Sequence, residues 1–183
     1  MDYFIDIQVK PDANIRENVL LNRVFTQFHK ALHALNSNSI GVSFPNYKVK
    51  LGNVLRIHAT KEMLETLYAS NWLDDLSGHY KSASIRPVPE EVQYRTVSRK
   101  QANMTQAKLR RLIKRGSIRE SEIQSYKAQM FKRGLDNPYL ELESASNGHK
   151  HRRFLEFGQL LDKPQTGTFD CFGLSRTATI PWF

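Results

Sequence analysis

Strand, helix, strand, strand, helix and strand succeed one another over the first 90 residues of this chain. A break rich in Pro and Glu follows at Pro87, Pro89, Glu90 and Glu91, and a purely basic segment comes after it. Those three observations predict an α+β fold in two parts. Residues 1–90 are expected to form a ferredoxin-like domain, and residues 91–183 a C-terminal α/β domain with an arginine-rich helix.

The elements follow from local pattern. Tyr3–Val9 alternates, with Tyr3, Ile5, Ile7 and Val9 on one face and Phe4, Asp6 and Gln8 on the other, which is the period of a strand. Pro11 ends it. Over residues 15–35, Leu20, Leu21, Val24, Phe25, Phe28, Ala31, Leu32 and Leu35 gather on one face of a long helix, which residues 36–39 break. Residues 40–44 and Val54–Ala59 read as antiparallel strands joined by the loop 46–53. Thr60 is placed to cap a second helix, with Glu62 in its first turn and Met63, Leu64, Leu67 and Tyr68 as its apolar side. Residues 82–87 supply the fourth strand. This RRM-like order is shared by many RNA-binding domains, but fold alone does not give function. The glycine- and aromatic-rich stacking signature of RRM readers is missing, so the sheet face is not expected to read RNA.

Residues 95–119 hold nine Lys or Arg and no Asp or Glu. The whole chain has 27 basic and 18 acidic side chains, so removing these nine leaves 18 of each sign, and the formal excess of +9 resides in this one segment. A localised excess focuses a field that draws in a polyanion in one orientation. Leu109, Leu112 and Ile113 share one side of a helix, while Lys108, Arg110, Arg111, Lys114 and Arg115 spread over the remainder and Gly116 is the stop. A merely solvated face usually mixes signs. Cations against phosphates supply most of the non-specific affinity for nucleic acid, whereas a lipid-binding helix carries Trp, Phe or a broad apolar face. The expected partner is a nucleic acid, not a membrane.

Beyond the basic segment, residues 121–133 are expected to continue as helix. Residues 139–142 and 153–157 read as a hairpin about a polar turn in which Asn147-Gly148 is the strongest turn signal. The apolar tail, through Phe169, Cys171 and Phe172 to the final IPWF, is expected to dock into the fold. A single cysteine, Cys171, excludes an intrachain disulfide framework and a multi-cysteine zinc site and fits a reducing cytosol. The opening ten residues lack the apolar core of a secretory signal, and no run approaches a membrane span.

Chemistry is sparse. His149 and His151 form an H-x-H pair, but Lys150, Arg152 and Arg153 around them oppose a cation, so neither a metal nor a cofactor is expected. No phosphate-binding loop, nucleophile elbow or paired-carboxylate motif occurs. RNA, however, carries its own nucleophile. Cutting it through the 2′-OH requires only a base, a group that orients the hydroxyl, and cations near the scissile phosphate. His29 lies about 40° beyond the Phe25 edge of the first helix's core face, where a partly exposed imidazole, a common general base, is held by a rigid element. His33, one turn on, fits equally by spacing, and periodicity alone reads either one as structural.

Several short pieces in one order carry a resemblance: MDYFIDI at the start, FHKALH around His29, IGVSFP, LRIHA, YRTVSRKQA leading into LRRLIKR, ESAS in the polar turn, CFGLS, and the closing PWF. Over nearly its whole length the chain resembles the CRISPR repeat-RNA processing endoribonucleases of the I-F subtype. The resemblance implies metal-independent cutting of CRISPR precursor RNA at the 3′ base of the repeat stem-loop, leaving 2′,3′-cyclic phosphate and 5′-OH ends. It implies two partners in the cytoplasm, the repeat stem-loop RNA, retained as product, and the other subunits of the type I-F surveillance complex, with target DNA met only indirectly.

By the same resemblance His29 is the catalytic histidine, in preference to His33, and Ser144 fixes the 2′-OH, with Ser146 close by. Arg99 and Gln101 would read bases at the foot of the stem, an Arg on guanine and a Gln on adenine being the chemically sensible pairs. Arg111, Lys114 and Arg115, with Lys108 and Arg110, would lie along the stem. Two positions depart from the family's pattern. Phe172 stands where a tyrosine can stand and has no hydroxyl to donate, and His151 stands where a phenylalanine can stack on the terminal base pair. Two rival expectations are a non-catalytic RNA-binding subunit of the same fold and a basic adaptor for DNA or anionic protein.

Overall fold

In the computed structural model, which describes residues 1–101, 105–132, 136–143 and 148–183, β1 (Tyr3–Val9) is the centre of a mixed α and β arrangement. Its partners are β3 (Val54–Ala59) on one side and β4 (Tyr80–Ser82) on the other, with β2 (Gly41–Ser43) outside β3, and all these neighbours are antiparallel. Two helices, α1 (Glu17–Leu35) and α2 (Lys61–Ala69), complete the strand-helix-strand-strand-helix-strand order. The alternation of β1 explains the layering. Ile5, Ile7 and Val9 face a core shared with Leu20, Leu21, Val24, Phe25, Phe28 and Leu32 of α1 and with Leu64 and Leu67 of α2.

Helix ends follow local chemistry. Asn36 closes α1 in the left-handed region at φ 48°, a conformation that Asn tolerates better than most residues. Thr60 caps α2, its Oγ1 accepting the Met63 N–H at 3.4 Å. Three residues expected on the helices' core faces are not fully buried there, Met63 of α2 being half-buried. Leu35 is only half-buried beside the Asn36 end, and Tyr68 is 60% exposed because Leu64 and Leu67 already fill the narrow strip that a nine-residue helix covers.

The fourth strand is not the single run 82–87. It is split into β4 and a two-residue β5 (Arg86–Pro87), both paired with β1. Ser82 lies opposite Ile7 and Arg86 opposite Phe4, so four steps along one strand match three along β1. The register slips by one residue, as at a β-bulge.

The other face of this sheet carries an ion-pair and ring cluster. Asp6 takes two hydrogen bonds from Arg56, at 2.7 and 3.0 Å, and one from Arg86 at 3.2 Å. Arg56 in turn lies over the rings of Phe4 and Phe183, 4.6 and 4.1 Å from their centroids. The tail strand β10 (Ile180–Trp182) pairs with β6 (Gln93–Arg95), and Phe183 after it packs edge-on against Phe4.

Contacts divide the chain into residues 1–99 with 138–183, and residues 100–137. A small sheet consists of β7 (Val97–Lys100), β9 (Lys150–Phe157) and β8 (Tyr139–Glu143), in that order. In the second unit, Thr105 caps α3 (Gln106–Lys114) by accepting the Lys108 N–H at 3.1 Å, and Gly116, at φ 64°, ends it. Leu109 is buried and Leu112 half-buried, but Ile113 is 47% exposed, so the expected three-residue apolar strip is narrower than periodicity implied. Here α4 (Glu120–Lys132) follows, its Glu122 carboxylate accepting the Arg119 N–H. Residue 133, expected at the end of this helix, lies outside the described residues. Among the described residues no helix is long and apolar enough to cross a membrane.

Candidate active site

The β8–β9 hairpin supplies one wall. Its register sets Leu140 opposite Arg153 and Leu142 opposite His151. With a period of two, these four and Leu155 share a face, and Leu140, Leu142, Arg153 and Leu155 are all buried. The hairpin is tied to α1 where the Glu141 N–H donates to the side-chain oxygen of Asn22 at 3.1 Å. Asn22 and His29 lie on the same side of α1, two turns apart, so this bond brings the inward hairpin residues up to His29.

A turn in the tail supplies the second wall. One carboxylate oxygen of Asp170 accepts the N–H groups of Phe172 and Leu174, at 2.9 and 3.0 Å. Gly173 then takes φ 69°, and its N–H donates to the Asp170 carbonyl at 2.9 Å. A side chain at 173 would also meet Phe28 and Val42. This turn is anchored where Val42 donates to the Gly173 carbonyl and Ser175 to that of Val97. The Cys171 carbonyl and the Phe172 ring are thereby fixed against α1.

His29 receives both. Its Nδ1 lies 2.7 Å from the Cys171 carbonyl oxygen. A carbonyl can only accept, so Nδ1 carries the hydrogen, and the neutral ring keeps its lone pair on Nε2. The imidazole stacks on Phe172 with centroids 3.7 Å apart and planes 8° from parallel. Arg153 also meets Phe172, its Cζ 3.5 Å from the ring centroid. Two groups that close to one centroid occupy opposite faces of the ring. Phe172 is therefore sandwiched between an imidazole and a guanidinium. Burial, followed by neighbouring Arg99, lowers the Arg153 pKa from its ordinary value. Burial, and then Asp170, pushes the Cys171 thiol up; the Cys171 group that engages His29 is its main-chain oxygen.

His29, Arg153 and Phe172 line one cleft together with Thr26, Lys30, His33, His151, Leu142 and Glu143. The cleft holds more basic and imidazole groups than acidic ones, which suits an anionic ligand. His29 and His33 both face it, but His29 is half-buried and held by two contacts, whereas His33 is exposed. His151 is exposed on the rim strand β9. Ser144 and Ser146 lie outside the described residues, as does Asn147 of the expected turn. Arg99 and Gln101 are exposed. Lys108, Arg110, Arg111, Lys114 and Arg115 are all exposed along α3. Among the described residues no group of three or more His, Cys, Asp or Glu is placed to hold an ion.

Residue-by-residue reading missed Arg153 as a site residue, noting it only as a charge that opposes a metal. The available signal was alternation. Two residues before Leu155 on a strand, it shares that residue's inward face.

Comparison with known proteins gives consistent matches. Residues 4–183 match the family described as CRISPR-associated protein (Cas_Csy4). The chain is 36% identical over 184 residues to a protein of Escherichia coli (strain UTI89 / UPEC) named CRISPR-associated endonuclease Cas6/Csy4, with the whole of both chains covered. It is 37% identical over 187 residues, again with full coverage of both, to the protein of that name from Pseudomonas aeruginosa (strain UCBPP-PA14). Among solved structures, Thermus thermophilus Cse3 bound to an RNA representing a pre-cleavage complex aligns over 99% of this chain and 100% of that one. The identity there is 11% and the TM-score 0.37, and so low a likeness carries no argument.

Proposed function

Because the chain belongs to the Cas_Csy4 family of CRISPR-associated proteins, we propose that it is a metal-independent endoribonuclease that cuts CRISPR precursor RNA at the 3′ base of the repeat stem-loop. It then holds the product hairpin as a cytoplasmic subunit of the type I-F surveillance complex. In this reading residues 1–90 are a ferredoxin-like domain carrying the catalytic histidine. Residues 91–183 are the RNA-binding domain, and cations of α3 contact phosphates of the stem. Arg99 and Gln101 read the bases at its foot, and His151 stacks on the terminal pair.

One observation carries the chemistry: the hydrogen bond from His29 Nδ1 to the Cys171 carbonyl, which leaves Nε2 as the basic nitrogen of a half-buried, stacked imidazole. Nε2 takes the proton of the 2′-OH, which Ser144 orients. The 2′ oxygen bonds to phosphorus, the bond from phosphorus to O5′ breaks, and O5′ takes a proton from solvent water to leave as the 5′-OH, while the proton on Nε2 is later lost to solvent. The phosphate remains as the 2′,3′-cyclic ester. Phe172 transfers no proton.

The test is incubation with labelled repeat RNA in EDTA. Cleavage at one bond is expected, with His29→Ala lowering the rate by about 10²- to 10⁴-fold and leaving hairpin affinity nearly unchanged. Equal loss of cutting and binding would make His29 structural. RNA bound but left uncut by the unaltered protein would leave a non-catalytic RNA-binding subunit.

A further inference from the structure

Arg153 sits among apolar neighbours, with 7% of its surface exposed, on the same strand face as Leu155 and opposite Leu140. Its Nε finds no hydrogen-bond partner among the described residues. A buried guanidinium is ordinarily matched by a carboxylate, because an uncompensated charge out of water costs several kcal/mol. The nearest charges here do not provide that match. Arg99 opposes the cation more strongly than Asp170 favours it, and the Asp170 carboxylate is already accepting two main-chain N–H groups of its own turn. What holds the guanidinium is the face of Phe172. The fold thus keeps an under-satisfied cation one ring away from the imidazole of His29, in the wall of the same cleft.

We propose that Arg153 is a further catalytic residue, the cation that binds a nonbridging oxygen of the scissile phosphate and stabilises the charge gathering there as the 2′ oxygen attacks. The inference rests on the ribonuclease reading above. Phe172 sets the spacing. With His29 against one face and Arg153 against the other, the proton acceptor and the cation are held apart by one ring, as a 2′-OH and the phosphate beside it require. Guanidinium donors suit this task, because a planar fork engages phosphate oxygens in a fixed geometry.

Single-turnover cleavage of repeat RNA, with a normal or a phosphorothioate linkage at the scissile position, tests it. Arg153→Met is expected to slow cleavage by about a hundredfold, the usual cost of removing one transition-state donor, with hairpin affinity retained. Sulfur in place of the contacted oxygen should slow the unaltered enzyme and make little further difference to Arg153→Met. A merely structural arginine would leave that sulfur effect unchanged, and this outcome, or unimpaired cutting by Arg153→Met, overturns the proposal. Where Arg153→Met does not fold, Arg153→Lys keeps the charge and stem, and it must show an altered sulfur effect or the proposal fails. An unaltered chain that cuts no RNA brings down the ribonuclease reading instead, so the two failures are distinct.

Discussion

The imidazole of His29 and the ring of Phe172 lie face to face, 3.7 Å between centroids and 8° from parallel. Phe172 has no hydroxyl, so its contribution to His29 is area and orientation. Phe172→Ala is expected to slow cleavage by up to about a hundredfold through misplacement of the base, while Phe172→Tyr keeps the ring and stays near the original rate. Both rates come from single-turnover assays. An unaffected Phe172→Ala would mean that the Cys171 carbonyl alone is enough to hold the imidazole.

The exposed cations of α3 should act through phosphates. Converting Arg111 and Arg115 to Ala together is expected to weaken hairpin binding and to flatten its salt dependence. Each lost phosphate contact removes about 0.7 to 0.9 from the slope of log affinity against log salt. Titrations across a salt series read this directly, and an unchanged slope would count against the assignment.

His58 predicts an acid-sensitive fold. It is fully buried on β3, with Nε2 2.8 Å from the Ser43 hydroxyl, and burial, with Arg56 adding to it, pushes its pKa down to about 3 from 6.5. Between those values the unfolded chain binds the proton and the folded chain does not, so stability falls as pH falls. The full contribution is present above about pH 6.5 and is lost on acidification at up to about 1.4 kcal/mol per pH unit. Urea unfolding at pH 7 and pH 5 should show this loss, and His58→Gln should reduce it. The same pH dependence in both proteins would remove His58 as the cause.

Gly41 on β2 predicts a packing limit. A Cβ there would come within 2.6 Å of Ile180 Cγ2 and 2.8 Å of Phe169 Cε1, both in buried side chains of the tail. Gly41→Val is expected to destabilise the fold by about 1–3 kcal/mol, seen as a lowered Tm. A Tm equal to that of the original chain would mean that the tail shifts freely away from the sheet.

Much of this molecule was legible from periodicity. The two-residue alternation of Tyr3–Val9, the helical stripe of Leu20 to Leu32, the Thr60 cap and the chain-wide charge imbalance concentrated before Arg119 depend on neighbours a few residues apart, and the sequence displays those directly. The choice of His29 over His33 came from resemblance, since both occupy the same helix side. Only the folded chain could decide what lies beside that histidine. Cys171 is 142 residues further along, and its carbonyl reaches Nδ1 because the Asp170–Gly173 turn, the β8–β9 register and the Asn22 bond all close on α1 together. The one-residue slip between β4 and β5 and the inward Arg153 have the same origin. Pairing and burial between distant segments overrode what a local reading of a strand and of a charged side chain would expect, because the free energy of those contacts is realised only once the chain has closed.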